Sequence, residues 1–273
     1  MITLTTDFGT RDAYVAAMKG VMLDIHPAAT FVDVTHEIHP QDVMEAAFVL
    51  RTAVPYMPAG TVHLVVVDPG VGTDRRAVAV RHGDQWFVGP DNGVFPLVLD
   101  DDAPDAMVDL DQPEAWRSLD PSTTFHGRDI FAPVAAHLAA GRTLDDVGSP
   151  LDALAPLRWA LPIADEHAVE GQVIHIDRFG NCITNIRRDT LVGTPAAPAL
   201  DDTADAPAVK CYAGSTILEG LHNTYGEVAD EEPLLLFGST GFLEVAVNAG
   251  NAAERLNIRK GDSVKLTFPS SRL

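Results

Sequence analysis

Lysine is nearly missing from this chain of 273 residues: Lys19, Lys210, Lys260 and Lys265 are the only four. Lysine and arginine together number 19 against 39 Asp and Glu, so the formal net charge is −20. Such a field repels a phosphate backbone and argues against nucleic acid as a partner. Cysteine is scarce as well. Cys182 and Cys211 lie far apart in no metal-like spacing, and both read as ordinary thiols of a reducing compartment. No apolar stretch approaches the ~18 residues of a membrane span. Neither GxGxxG nor GxxxxGKS/T occurs, which disfavours dinucleotide and P-loop phosphate sites. The opening "MITLTTDFGT" lacks a basic region followed by a long apolar stretch. It reads as a strand starting at once, not as a secretory leader, and a cytoplasmic chain is the expectation. No internal repeat is present.

Hydrophobic residues make up 46% of the chain, enough for a substantial core in one large domain or two ordinary ones. The acid excess is mostly aspartate, as in "DDDAPDAMVDLD" and "DDTADAP". This bias resembles proteins of salt-accumulating cytoplasms, whose acidic surfaces stay hydrated; an ordinary acidic enzyme is the alternative.

The first half alternates strand and helix signals. "ITLTT", "TFVDVTHEI" and "TVHLVVVD" read as strands. "DAYVAAMKGVMLDIHP" carries apolar residues at helical spacing and stops at a proline, and "DVMEAAFVLRTAVPYMP" reads as a second helix. This β-α-β-α-β order implies parallel strands with right-handed crossovers. "AVAVRH" and "QWFVGPDNG" add strand-like segments, and "DIFAPVAAHLAAG" reads as a helix closed by Gly141. The texture then changes. "GQVIHIDRFGNCITNI", "VKCYAGSTI", "PLLLFGSTGFLEVAV" and "DSVKLTF" are short strands without a long helix. "GTPAAPALDDTADAPA" reads as a solvated loop. The expected organisation is an α/β domain over residues 1–163, with a mainly parallel sheet, and a smaller all-β, barrel-like domain over 169–273.

In open α/β sheets, ligands bind beyond the carboxyl ends of parallel strands. Polar groups stand at three such ends: Asp7, then Thr35-His36-Glu37, then Asp68. A lone carboxylate there could be only a helix cap, but two on neighbouring strands favour a shared pocket. "VVVDPGVGTDRR" sets Asp68 off a valine run, with Arg75 and Arg76 seven and eight residues on. "HEIH" does not make a metal pair, because residues three apart on a strand point to opposite faces. "FHGRD" places His126 just before a helix, "DRFGN" reads as a turn with an aromatic, and "VAVNAGNA" ends a strand in a turn with accessible backbone groups.

Taken in order, "TDFG", "VDPGVGTDRR", "PDNG", "FHGRD", "DRFGN…TNI" and "GSTGFLEVAVNAGNAA" resemble the S-adenosyl-L-methionine (SAM) hydroxide adenosyltransferase family. These are adenosine-forming SAM hydrolases, related to the fluorinases and chlorinases. The resemblance spans nearly the whole chain. It implies an N-terminal α/β domain, a C-terminal barrel-like domain, and a homotrimer with its site between the N-domain of one chain and the C-domain of the next. It implies that Asp68, Arg75 and His126 orient and activate a water, with Arg76 competing for the arginine's place. By the same resemblance Asp7 meets the ribose hydroxyls, Asp177 the methionine ammonium and Ser239 its carboxylate. Phe179 and Asn181 meet adenine, Tyr225 is a second aromatic wall across a gap in the alignment, and Val247 and Ala249 offer backbone groups to adenine, with Asn248 between them. The reaction expected is hydrolysis of SAM to adenosine and L-methionine, without metal or organic cofactor, and with the (R)-sulfonium epimer as a candidate substrate in metabolite repair. The alternatives are a SAM-dependent halide transferase and a non-catalytic adenosine- or SAM-binding protein. Against the first, the fluorinases carry tyrosine where Asp68 stands, tryptophan for Gln41, serine for Gly127, and an insertion near residues 84–86 that is missing here. Against the second, a mere binder needs no water-activating set.

Overall fold

The computed structural model describes residues 1–99, 102–156, 161–192, 194 and 209–268. It divides into two compact units, Met1–Arg158 and Trp159–Leu273. The loop expected over 193–208 lies, Thr194 apart, outside the described residues.

The first unit builds β1 (Ile2–Thr6), α1 (Tyr14–Ile25), β2 (Phe31–Thr35), α2 (Val43–Ala53), β3 (Val62–Val66), β4 (Ala77–His82), β5 (Gln85–Pro90), α3 (Pro96–Leu99), β6 (Ala106–Asp109), α4 (Ala132–Ala139) and β7 (Ser149–Pro150). Helix α1 stops before His26-Pro27 because the residue preceding a proline is pushed out of the helical region. Helix α2 starts at Asp42, whose side chain accepts from the Glu45 N–H at 2.9 Å.

These strands form a seven-stranded sheet in the order β2-β1-β3-β5-β4-β6-β7. The pairs β2/β1, β1/β3 and β3/β5 are parallel, and β5/β4, β4/β6 and β6/β7 are antiparallel. Strand β3 is buried throughout, and successive residues feed opposite faces. Val62, Leu64 and Val66 pack with Met18 and Met22 of α1 and Val134 and Ala135 of α4. Val65 and Val67 pack with Ala46, Ala47 and Leu50 of α2 and with Phe87 and Phe95. The apolar run "HLVVV" therefore reflects burial on both sides, the mark of a central parallel strand.

The order of connections positions the site. From β1 the chain crosses to β2 on one side, then returns to β3 on the other. The reversal leaves a crevice at the carboxyl ends of β1 and β3, where ligands of open α/β sheets bind. Asp7 follows β1 and Asp68 follows β3, and the two strands pair in register up to Thr6 and Val66.

The second unit builds β8 (Ile163–Ala164), β9 (Ala168–Ile176), β10 (Cys182–Arg187), β11 (Lys210–Ala213), β12 (Thr216–Glu219), β13 (Pro233–Phe237), β14 (Phe242–Val247), α5 (Ala252–Arg255) and β15 (Ser263–Thr267). The sheet runs β12-β11-β15-β9-β10-β14-β13, with β8 paired to β9 off this path, so the second sheet takes in residues upstream of 169. All named pairs are antiparallel. A bridge from His222 to Leu236 carries the chain after β12 back to β13, which nearly closes the sheet into a barrel. Leu243, Val245 and Val247 of β14 enter its core with Val169, Val173 and Val264. Both cysteines are free and buried in this unit. Burial pushes their thiols up to about 12, so neither is a ready thiolate nucleophile.

Candidate active site

Beyond β3, Val67 is still buried and Asp68 is the first polar residue. Its carbonyl accepts from the Val71 N–H at 3.2 Å, and the Thr73 hydroxyl donates to the Gly70 carbonyl at 2.6 Å. These bonds fold "DPGVGTD" into a tight loop that returns Arg75 onto Asp68. Gly72 has φ +77, and a Cβ there would lie 2.5 Å from the Thr123 carbonyl oxygen. Only glycine lets this loop press so closely on the segment that carries His126.

Arg75 Nε donates to Asp68 Oδ1 at 2.9 Å, and Nη2 donates to Oδ2 in a short bond. Nη2 also lies 2.8 Å from His126 Nδ1. The guanidinium rests over the Phe131 ring, 5.1 Å from its centroid. Asp68 and Arg75 side chains are only 6% and 10% exposed, so this fork is locked by packing as well as charge. Each Asp68 oxygen keeps a second lone pair for another donor.

The contact with Arg75 decides the state of His126. A guanidinium has donors and no acceptor, so Nδ1 must accept and the ring proton sits on Nε2. Burial first, and then the Arg75 charge, push His126 below its ordinary value, against the pull of Asp68 and Asp129. At neutral pH His126 is therefore a neutral Nε2–H donor. Arg76 has other work: Nε donates to Asp91 Oδ2 at 2.9 Å and Nη2 to the Ala153 carbonyl at 2.9 Å. The geometry assigns Arg75, not Arg76, to Asp68. "PDNG" also finds its place, since Asn92 Nδ2 donates to the Val67 carbonyl at 2.9 Å beside Asp68.

Asp7 is half-buried at the neighbouring strand end. Its Oδ2 accepts from the Gln41 N–H at 2.8 Å, so the main chain of residue 41 holds it whatever the side chain there. Gly127 leaves no space either: a Cβ would sit 3.1 Å from Met18 Sδ and 3.1 Å from Val66 Cγ1. The two histidines of "HEIH" turn to different partners, His36 Nδ1 to Thr6 Oγ1 at 2.9 Å and His39 Nδ1 to Glu45 Oε2 at 2.8 Å. Among the described residues no cluster of His, Cys, Asp and Glu has the makings of a metal site.

Sequence reading missed Asp129, the carboxylate that fixes the His126 segment. It is 2% exposed and accepts from Arg128 Nε and Nη2 at 2.7 Å each, Arg117 Nη1 at 3.3 Å and the Ser122 N–H at 3.0 Å. It lies in a π turn, Gly127–Phe131, that runs into α4; such turns are rare and concentrate at functional sites. Arg128 foremost, helped by Ser122 and Arg117 and opposed by burial, holds the Asp129 carboxyl down at about 2. A depressed carboxyl contributes stability that is complete above its ordinary value near 4 and is lost as pH falls through its folded value. Wild type is expected to lose roughly 2 kcal/mol from this group between about pH 4 and pH 2. Urea unfolding across that window should show a shallower slope in Asp129→Asn; equal slopes would remove Asp129 as the cause.

In the second unit, Asp177 organises "DRFGN". Its Oδ1 accepts from the Phe179 and Asn181 N–H groups, each at 2.9 Å, and its Oδ2 from Asn181 Nδ2 at 2.9 Å. Asp177 is thus a turn-former with one oxygen less committed. Gly180 has φ +87, and a Cβ there would clash with the Asn251 amide at 2.1 Å, which keeps the turn against the start of α5. Phe179 is 76% exposed, a large ring left uncovered beside a buried Asn181 amide. Ser239 is exposed in the turn between β13 and β14. At the other end of β14, the Val247 carbonyl accepts from the Gly250 N–H at 3.1 Å, and both backbone groups of Asn248 pair with Glu231 and Glu232. Ala249 stands exposed at φ 53, and no backbone bond of its own holds it among the described residues. Tyr225 donates to Glu244 Oε2 at 2.8 Å. Glu244 was also missed, although a lone carboxylate inside "FLEVAV" is a visible anomaly.

Two family models match the chain, the SAM hydroxide adenosyltransferase N-terminal domain over residues 2–148 and the C-terminal domain over 171–265. An (R)-S-adenosyl-L-methionine hydrolase from Salinispora tropica is 42% identical over 97% of each chain. A fluorinase from Actinopolyspora mzabensis is 30% identical over 98% of this chain and 97% of its own. A crystal structure of an uncharacterized conserved protein from Thermotoga maritima superposes with a TM-score of 0.87 at 38% identity, covering 97% of this chain and all of that one. The chain belongs to the SAM hydroxide adenosyltransferase family.

Proposed function

We propose that the protein hydrolyses SAM to adenosine and L-methionine. The observation that carries this reading is the chain of contacts from Asp68 through Arg75 to His126 at the carboxyl end of β3. A water accepted by Asp68 attacks C5′ of the ribose. The O–C5′ bond forms as the C5′–S bond breaks, and the bond's electron pair passes to sulfur. Methionine leaves as a neutral thioether, so no general acid and no metal is required. The water's proton passes to Asp68 and then to solvent, a step within the reach of a positioned carboxylate. His126, as an Nε2–H donor, fixes the water's oxygen without competing for its proton. Asp7 takes the ribose hydroxyls. Phe179, Tyr225, Asn181 and the turn at Val247, Asn248 and Ala249 take the adenine, and Asp177 and Ser239 take the methionine. The Salinispora relative is named for the (R) epimer, which supports that epimer as substrate here. A cytoplasmic setting goes with the free, buried thiols; no described helix is long and apolar enough to cross a membrane.

Incubation with (R)- and (S)-SAM, followed by chromatography, tests the reading. Adenosine and methionine are the expected products, formed faster from the (R) epimer, with no 5′-chloro-5′-deoxyadenosine in chloride buffer because the Asp68 carboxylate repels a halide. A halogenated nucleoside as main product would make the protein a halide transferase, and binding without turnover would make it a binder.

The family resemblance further supports a homotrimer in which one substrate meets Asp68 from one chain and Asn181 from another. Mixed Asp68→Asn and Asn181→Ala subunits, each inactive alone, are then expected to regain part of the activity. No recovery after verified subunit exchange would confine the site to one chain.

A further inference from the structure

Glu244 is a buried carboxylate with no part in the scheme above. It is 6% exposed at the middle of β14, the strand whose two ends carry Ser239 and the Val247–Ala249 turn. Leu243, Val245 and Val247 point into the barrel core, and Ala246 packs outside it with Leu234 and Leu236. Alternation therefore puts Glu244 on the outer face. Cross-strand neighbours there are Leu236 and Ile183, neither of which can pair with a charge. Gly238 keeps the space open: a Cβ at that position would lie 1.7 Å from Glu244 Oε1. The bond from the Tyr225 hydroxyl, at 2.8 Å, satisfies Oε2.

Burying an ionisable group there costs free energy that the one bond from Tyr225 offsets only in part. Burial raises its carboxyl, and the nearby Asp177 raises it further, while Tyr225 opposes both. Tyr225 itself sits in a single short turn, Tyr225–Glu227, 38% exposed. Its hydroxyl bond to Glu244 ties the end of the ring to β14.

We infer that Glu244 is a positioning residue: it holds the Tyr225 ring as a preset wall for the adenine. This rests on the reading of Tyr225 as an adenine contact. A ring already fixed loses little freedom when the purine stacks on it, so Glu244 acts on binding and not on the bond-breaking step. Glu244→Leu keeps the size, removes the acceptor, and leaves the Tyr225 hydroxyl unanchored. Tyr225→Phe keeps the ring and removes the bond from the other side. Glu244→Gln keeps an acceptor at the same reach.

The experiment is calorimetric titration of each full-length variant with adenosine, with kcat and KM for SAM and the melting temperature read in parallel. Glu244→Leu and Tyr225→Phe are each expected to weaken adenosine about tenfold, the effect of losing one such bond. The double variant should be no weaker than the worse single, Glu244→Gln should stay near wild type, and KM should rise with kcat little changed. If adenosine binds Tyr225→Phe as tightly as wild type, the inference is wrong, and this variant serves even should Glu244→Leu fail to fold. A lowered melting temperature with unchanged adenosine affinity would make Glu244 a structural residue only. Wild type that fails to bind adenosine at all would overturn the underlying assignment of the second unit, a result distinct from either.

Discussion

Asp68→Asn is expected to lower kcat for SAM by about 10²–10⁴-fold, the usual contribution of a general base, and to leave adenosine affinity unchanged. Asparagine has the size of aspartate and can still accept from Arg75, but it cannot draw a proton from water. In the proposed mechanism Asp68 is the base, because His126 spends its Nδ1 lone pair on Arg75 and carries its proton on Nε2. Phe179 and Asn181, the proposed adenine contacts, belong to a different unit of the chain, so the substitution is expected to separate turnover from binding. Asp7→Asn should show the opposite emphasis, a raised KM from weaker hold on the ribose. Steady-state kinetics beside adenosine titration checks both, and near-wild-type turnover in Asp68→Asn would reduce that carboxylate to a loop former.

Arg75→Lys is expected to cost about 10²-fold in kcat, and Arg76→Lys almost none. The two arginines are adjacent, yet Arg75 forks onto both oxygens of Asp68 and reaches His126, while Arg76 serves Asp91 and Ala153. Lysine offers one point charge where the fork needs a plane. With Arg75 shortened, Asp68 and His126 lose their common anchor, and a misplacement of about 1 Å is enough for a loss of that size. Arg76→Lys should instead lower the melting temperature, since Asp91 is buried and keeps only part of its pairing. Equal kinetic losses in the two variants would contradict the assignment.

Much of this was legible in the residues themselves. The proline after α1 marks its end because proline constrains the residue before it, whereas α2 ends at Ala53 and a 3-10 turn, Val54–Tyr56, carries the chain through Pro55. The carboxylates after β1 and β3 marked a candidate site, because strand ends at a chain reversal form a crevice. Other features had no local signal. Arg75 and Arg76 are neighbours in one turn, and only the tertiary path of the loop sends them to different acids. The π turn at Gly127–Phe131 looks like ordinary helix in a sequence. Asp129 has no distinguishing pattern, because its partners Arg117 and Ser122 come from a loop without periodicity. Strand β6 was hidden in "DDDAPDAMVDLD", where flanking acids mask a four-residue strand held by its neighbours β4 and β7. The turn after β14 was visible, but main-chain pairing of Asn248 to Glu231 and Glu232 depends on a return of the chain that no short motif encodes.

In the proposed reaction a water made nucleophilic at Asp68 attacks C5′ of SAM. A single turnover in heavy-oxygen water, with mass spectrometry of the nucleoside, tests it directly. The expected products are adenosine carrying the heavy oxygen at its 5′ position and methionine carrying none. Unlabelled adenosine, or label appearing in the methionine, would contradict it.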